Sequence, residues 1–167
     1  MNDNALYQLA LKTGTALWDQ RHLLATAESC TGGWIAKAIT DIPGSSRWFE
    51  RGFITYSNQA KSEQLGVNPR LIEKYGAVSA EVVEAMAAGA LKYSTADIAV
   101  AVSGIAGPDG GSPEKPAGTV WFAWTLRGQS KVYSEHQYFS GDREQVRRAA
   151  VAKGLAGILE ILSATRT

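Results

Sequence analysis

The residues best suited to chemistry stand together at Thr26-Ala27-Glu28-Ser29-Cys30-Thr31-Gly32-Gly33, where an apolar run meets an amphipathic one through small hydroxyl side chains. Leu23 to Ala27 reads as a short buried strand, and Trp34 to Ile39 as a helix with apolar residues at helical spacing. Ser29 or Thr31 then falls in the N-cap region, with Gly32 and Gly33 in the first turn. A helix start offers unpaired N–H groups and the positive end of the helix dipole. It can hold an anion or stabilise a developing oxyanion, which makes Ser29 a candidate nucleophile. Plain helix capping is the other use of the same hydroxyls.

A serine nucleophile needs a base, and the chain has only His22 and His136 as histidines. His22 lies beside Arg21 just before a strand, and His136 lies in a strand with an alternating polar face, so neither is well placed. Tyr56, at a strand end, and Lys61 are better candidates. Lys61 follows Asn58, the expected N-cap of a short helix, by three residues, where the helix dipole disfavours an ammonium. If it points into a cleft, dipole and desolvation together lower its pKa and make it a usable base. Tyr56 would relay a proton or orient the pair; a solvated surface lysine is the alternative. Cys30 is a rival nucleophile, because a thiol at a helix start has a lowered pKa, but it lacks a histidine partner and ranks second. The literal Ser112-x-x-Lys115 is discarded, since Pro113 and Pro116 work against the helix that chemistry needs. No complete dinucleotide fingerprint, phosphate-loop lysine motif or H-E-x-x-H occurs.

Anion sites have two further candidates. The stretch from Ser103 and Gly104 through Gly107 to Gly110 and Gly111 follows a buried strand, the usual ligand position in open α/β sheets, and its N–H groups could form a nest. Arg143, Arg147 and Arg148 cluster near the start of the last helix. A surface turn and a solvated helix face are the respective alternatives.

The elements that must position these residues follow from periodicity and turn chemistry. Residues from about 4 to 20 form an amphipathic helix, and Trp48 to Tyr56 a strand, with Gly52 read as a bulge. Short helices run to Leu65, stopped by Gly66, and from Pro69 to Tyr75, closed by Gly76; Ser79 starts a long one. Ala96 to Val102 is a continuous apolar strand, as expected where both faces are covered. Thr119–Leu126 and Lys131–Phe139 form a hairpin around Arg127-Gly128-Gln129, and Asp142 caps a final helix to about residue 162. The expected architecture is a single three-layer α/β/α domain over residues 1–167 with a mixed sheet.

Composition narrows the function classes. An apolar share of 45% and a charged share of 20% are those of a globular protein. Lys+Arg 17 against Asp+Glu 16 leaves +1, which supplies no global field for nucleic acid or an anionic membrane. The single cysteine excludes an intrachain disulfide or a multi-cysteine metal site. No apolar run nears the roughly 18 residues of a membrane span, and no basic leader is present, so a cytoplasmic setting is expected.

Several stretches together closely resemble the CinA C-terminal domain family, the nicotinamide-nucleotide amidohydrolases. They are the opening motif, Gly52-Phe53-Ile54-Thr55-Tyr56-Ser57-Asn58 with Lys61, Gly76-Ala77-Val78-Ser79, Ser103 to Gly111, Pro116-Ala117-Gly118-Thr119-Val120 and Gly141-Asp142-Arg143. The resemblance spans about residues 5 to 162 and is to the stand-alone form. It implies hydrolysis of the carboxamide of nicotinamide mononucleotide to nicotinic acid mononucleotide and ammonia. It also implies a serine nucleophile with a lysine and a tyrosine, which fall on Ser29, Lys61 and Tyr56. N–H groups from Cys30, Thr31, Gly32 and Gly33 would hold the oxyanion, and the 5′-phosphate would sit in the glycine loop or on Arg143. Neither metal nor other cofactor is called for. The expected partner is a pyridine mononucleotide, with a homodimer possible, and a catalytically inactive nucleotide-binding module is the alternative.

Overall fold

The computed structural model describes residues 1–166. In chain order the elements are α1 (Asp3–Asp19), β1 (Leu24–Glu28), α2 (Trp34–Thr40), a 3-10 turn (Ser45–Arg47), β2 (Phe49–Ile54), α3 (Asn58–Leu65), α4 (Pro69–Tyr75), α5 (Ala80–Lys92), β3 (Ile98–Gly104), β4 (Thr119–Leu126), β5 (Val132–Tyr138) and α6 (Arg143–Ala164). The sheet runs β2-β1-β3-β4-β5, with β1 parallel to both neighbours and β4 and β5 antiparallel. Helices cover both faces, which gives the expected α/β/α layering around a mixed sheet.

Alternation along the central strands decides which helix goes where. Leu24, Ile98, Val100, Val102, Phe122 and Trp124 project to one face, where they meet Leu17 of α1, Ile35 and Ile39 of α2, and Leu155 and Ile158 of α6. Ala25, Ala27, Ala99, Ala101 and Ala123 line the other, under Val83, Met86 and Ala87 of α5 and Leu65 of α3. The small face lets α5 lie close, and the bulky face fills the wider gap to α6, as dense packing requires. Each fully buried large aliphatic or aromatic side chain contributes about 1.5–3 kcal/mol relative to exposure.

Two local expectations need correcting. Gly52 is not a bulge: the register slips between Leu24 and Ala25, which makes Glu50 the extra residue, while Gly52 pairs with Thr26. Gly52 is needed for closeness instead, since a Cβ there would lie 2.8 Å from Thr26 Oγ1. The N-cap of α3 is Ser57, whose hydroxyl accepts from Ala60 N at 3.0 Å, and Asn58 is the first helical residue.

The sheet also fixes where a site can form. From β1 the chain crosses by α2 to β2 on one side, whereas β3 lies on the other side of β1. The carboxyl ends of β1 and β3 therefore border a topological switch point, where ligands bind in open α/β sheets.

Candidate active site

Ser29 follows the last residue of β1 and is still tied to the sheet, its N–H donating to Val102 O at 3.0 Å. The chain then turns, with Gly32 N donating to Ser29 O at 3.0 Å and Trp34 N to Thr31 O at 3.1 Å. Gly32 and Gly33, at φ +61° and +97°, take left-handed conformations before the helix rather than inside its first turn. Contrary to expectation, neither Ser29 nor Thr31 caps α2. Glu28 does so from the strand: its carboxylate accepts from Ile35 N at 2.8 Å, Ala36 N at 3.0 Å and Thr31 Oγ1 at 2.6 Å. Burial pushes this carboxyl above its ordinary value, against the hydrogen bonds that hold it down. Its distance from the helix along the chain matches no capping spacing, which is why the sequence did not reveal it. The result is that the Ser29 hydroxyl is free for another partner.

That partner is Lys61. The residue is only 1% exposed, and its Nζ lies 3.0 Å from Ser29 Oγ, 3.0 Å from Thr55 O and 3.4 Å from Tyr56 O. Among the described residues no carboxylate pairs with it. Burial pushes its amine below the ordinary lysine value. The solvated alternative is thus overturned. Lys61 also stands just past the first turn of α3, so desolvation rather than the helix dipole is the cause. A neutral amine has two N–H donors and one lone pair. Two carbonyls can occupy the donors while the lone pair faces the serine hydroxyl. Thr55 is held in place by its N–H donating to Glu28 O at 2.8 Å. Side-chain patterns could not have revealed Thr55, since it acts through its carbonyl.

Tyr56 joins the pair through its carbonyl, while its exposed side chain turns to Arg143, whose Nη2 donates to the phenol oxygen at 3.1 Å. Arg143 Nη1 donates to Gly107 O at 2.9 Å, so this arginine bridges β2's end to the glycine loop. Ser103 and Gly104 close β3 beside Ser29, and a Cβ on Gly104 would lie 2.7 Å from Val120. Gly110, at φ +91°, stands in the exposed part of the loop, away from these contacts.

Burial also disfavours the rival nucleophile, Cys30. Burial pushes its thiol up to about 12, so the thiolate that attack requires is scarce at neutral pH. Arg147 donates to the carbonyls of Cys30 and Thr31, and Arg148 pairs with Asp3 and Glu144, so two arginines of the basic cluster are committed within the protein. A cavity of about 430 Å³ between α3 and α4 is lined by Asn58, Ser62, Pro69 and Ile72 among others, and neither Ser29 nor Lys61 lines it. Its lining holds no comparable serine–lysine pair.

The fold and site define an α/β protein with a buried serine–lysine pair at its switch point. Comparison with known proteins narrows this: the CinA C-terminal domain matches residues 6–162. The chain belongs to that family. It is 58% identical over 156 residues, covering 93% of both chains, to a protein of Shigella flexneri named nicotinamide-nucleotide amidohydrolase PncC. It is 57% identical to the Pseudomonas putida protein of the same name, covering 92% of this chain and 94% of that one. Among solved structures, the competence damage-inducible protein A of Klebsiella pneumoniae superposes with a TM-score of 0.92 at 40% identity, covering 96% and 99% of the two chains. The competence/damage inducible protein CihA of Agrobacterium tumefaciens gives 0.89 at 43% identity over 95% of each.

Proposed function

We propose that this protein hydrolyses the carboxamide of nicotinamide mononucleotide to nicotinic acid mononucleotide and ammonia. The observation that carries the reading is the 3.0 Å contact between Ser29 Oγ and a buried Lys61 Nζ. The names of relatives more than half identical to this chain, nicotinamide-nucleotide amidohydrolases, support a nicotinamide nucleotide as the substrate.

Neutral Lys61 takes the hydroxyl proton as Ser29 Oγ bonds to the amide carbon. N–H groups of the Cys30–Gly33 loop receive the oxyanion. The adduct collapses with cleavage of the C–N bond; the Lys61 ammonium returns the proton to the departing nitrogen, and ammonia leaves. Water then attacks the acyl ester, giving one proton to Lys61. That proton passes to Ser29 Oγ as the ester bond breaks, and the nicotinate product departs. Tyr56 orients the pair through its carbonyl, and its phenol with Arg143 contacts the nucleotide, whose phosphate lies on Arg143 or the glycine loop. The reaction takes place in the cytoplasm; cell fractionation tests that, and size-exclusion chromatography tests a homodimer.

A coupled ammonia assay on the purified protein with nicotinamide mononucleotide is the test. Turnover is expected, and Ser29→Ala should abolish it while nucleotide binding persists. Binding without turnover in the unmutated protein would mark a nucleotide-binding module instead.

A further inference from the structure

Arg147 sits near the start of α6 and meets the nucleophile loop from the sheet face opposite α3. Its Nε donates to Cys30 O at 3.0 Å and its Nη2 to Thr31 O at 3.1 Å, and the guanidinium lies 5.5 Å from the centroid of the Trp34 ring. A planar fork spent on two consecutive carbonyls fixes backbone orientation as a lysine could not.

The consequence follows from peptide geometry. A trans peptide is planar, so the carbonyl of one residue and the N–H of the next point in opposite directions. With the Cys30 carbonyl drawn toward α6, the Thr31 N–H is turned the other way, toward the side from which Lys61 reaches Ser29. The Thr31 carbonyl sets Gly32 N–H likewise, and that group is already taken by Ser29 O at 3.0 Å. Among the described residues, Thr31 N–H has no backbone acceptor. Glu28 grips the Thr31 hydroxyl and the start of α2 but not this peptide.

We infer that Arg147 is a positioning residue: it holds the Cys30–Thr31 peptide so that Thr31 N–H donates to the oxyanion of the tetrahedral adduct on Ser29. The inference rests on the amidohydrolase reading above. Without the arginine the peptide is free to rotate, and a rotated peptide presents a carbonyl oxygen to the developing negative charge. Loss of one such donor typically lowers kcat by about 10²–10³-fold.

Arg147→Met, Arg147→Lys and, as a control, Arg148→Met are compared by steady-state ammonia release, thermal unfolding and crystallography. Arg148 lies 5.1 Å from the same Trp34 ring but touches neither loop carbonyl. Arg147→Met is expected to lower kcat by about 10²-fold with little change in KM, and its crystal structure to show the Cys30–Thr31 peptide rotated. Arg147→Lys, which keeps the charge but not the planar fork, should recover part of the rate and serves if Arg147→Met does not fold. Arg148→Met should keep wild-type kcat. Unchanged kcat in Arg147→Met, a loss confined to KM, or an unmoved peptide overturns the inference. A wild-type protein that releases no ammonia overturns the functional reading instead, and the variant's peptide orientation is still decided by its crystal structure.

Discussion

Lys61 Nζ stands 3.0 Å from Ser29 Oγ, on a side chain that has lost almost all contact with solvent and faces no carboxylate among the described residues. A buried amine without a counter-ion is costly to a fold. Lys61→Met tests whether chemistry is the reason it is kept. Ammonia release should fall by at least about 10²-fold, the usual weight of a positioned base. The unfolding temperature should stay level or rise, because methionine fills a similar volume without a polar head. A lysine kept for structure would give the reverse pattern.

The same burial sets the pH dependence. The folded-state pKa of Lys61 is lowered from 10.5. Between the folded value and 10.5 the unfolded chain binds more protons than the folded one, so stability rises with pH across that window. Below the folded value the amine is charged in both states and its burial cost is fully present. The unfolding free energy of Lys61→Met minus that of wild type should therefore be largest at low pH and shrink toward 10.5. kcat/KM should rise along an alkaline limb with its midpoint below 10.5. A midpoint at or above the ordinary lysine value would remove Lys61 as the base.

Cys30 should be dispensable to the chemistry despite standing next to Ser29. Its thiol, pushed up to about 12, should resist iodoacetamide while the protein is folded, and Cys30→Ala should keep kcat within a few-fold. Rapid inactivation by the reagent in step with modification of Cys30 would restore the thiol as a candidate.

These tests bear on a site whose parts were unequally legible in the sequence. The strands and long helices were readable because bulky residues alternate with alanine in Ile98-Ala99-Val100-Ala101-Val102, and because Ser79 and Asp142 cap at ordinary spacings. Ser29 and Lys61 were readable as residue types at element junctions, but not their contact, which is made across 32 residues of chain. Glu28 as the cap of α2 was hidden, because a carboxylate reaching forward from a strand leaves no local pattern. So was the placement of Tyr56, whose carbonyl and phenol face different partners. Arg147 looked like a solvated or anion-binding residue, since backbone carbonyls from a distant loop carry no side-chain signature.

The position of Lys61 depends in turn on a glycine outside the site. At Gly89 of α5 an added Cβ would collide with the carbonyl oxygen of Leu65, the last residue of α3, and lie 2.8 Å from its carbonyl carbon. Backbone cannot yield as a flexible side chain can, so Gly89→Ala should push α3 outward, and Lys61 with it. Overpacking of this kind costs about 1–3 kcal/mol, and a shift near 1 Å in a catalytic group about 10²-fold in rate. Gly128→Ala separates the two effects. Gly128, at φ +82° with nothing within 4 Å of its added Cβ, follows β4 where Leu126 pairs with Ile98, the end of β3 remote from Ser29. It should lose about 1–2 kcal/mol by backbone strain yet keep wild-type kcat. Urea unfolding beside ammonia-release kinetics reads both quantities. A Gly89→Ala protein as destabilised as Gly128→Ala but fully active would show that α3 can move without carrying Lys61 away from Ser29.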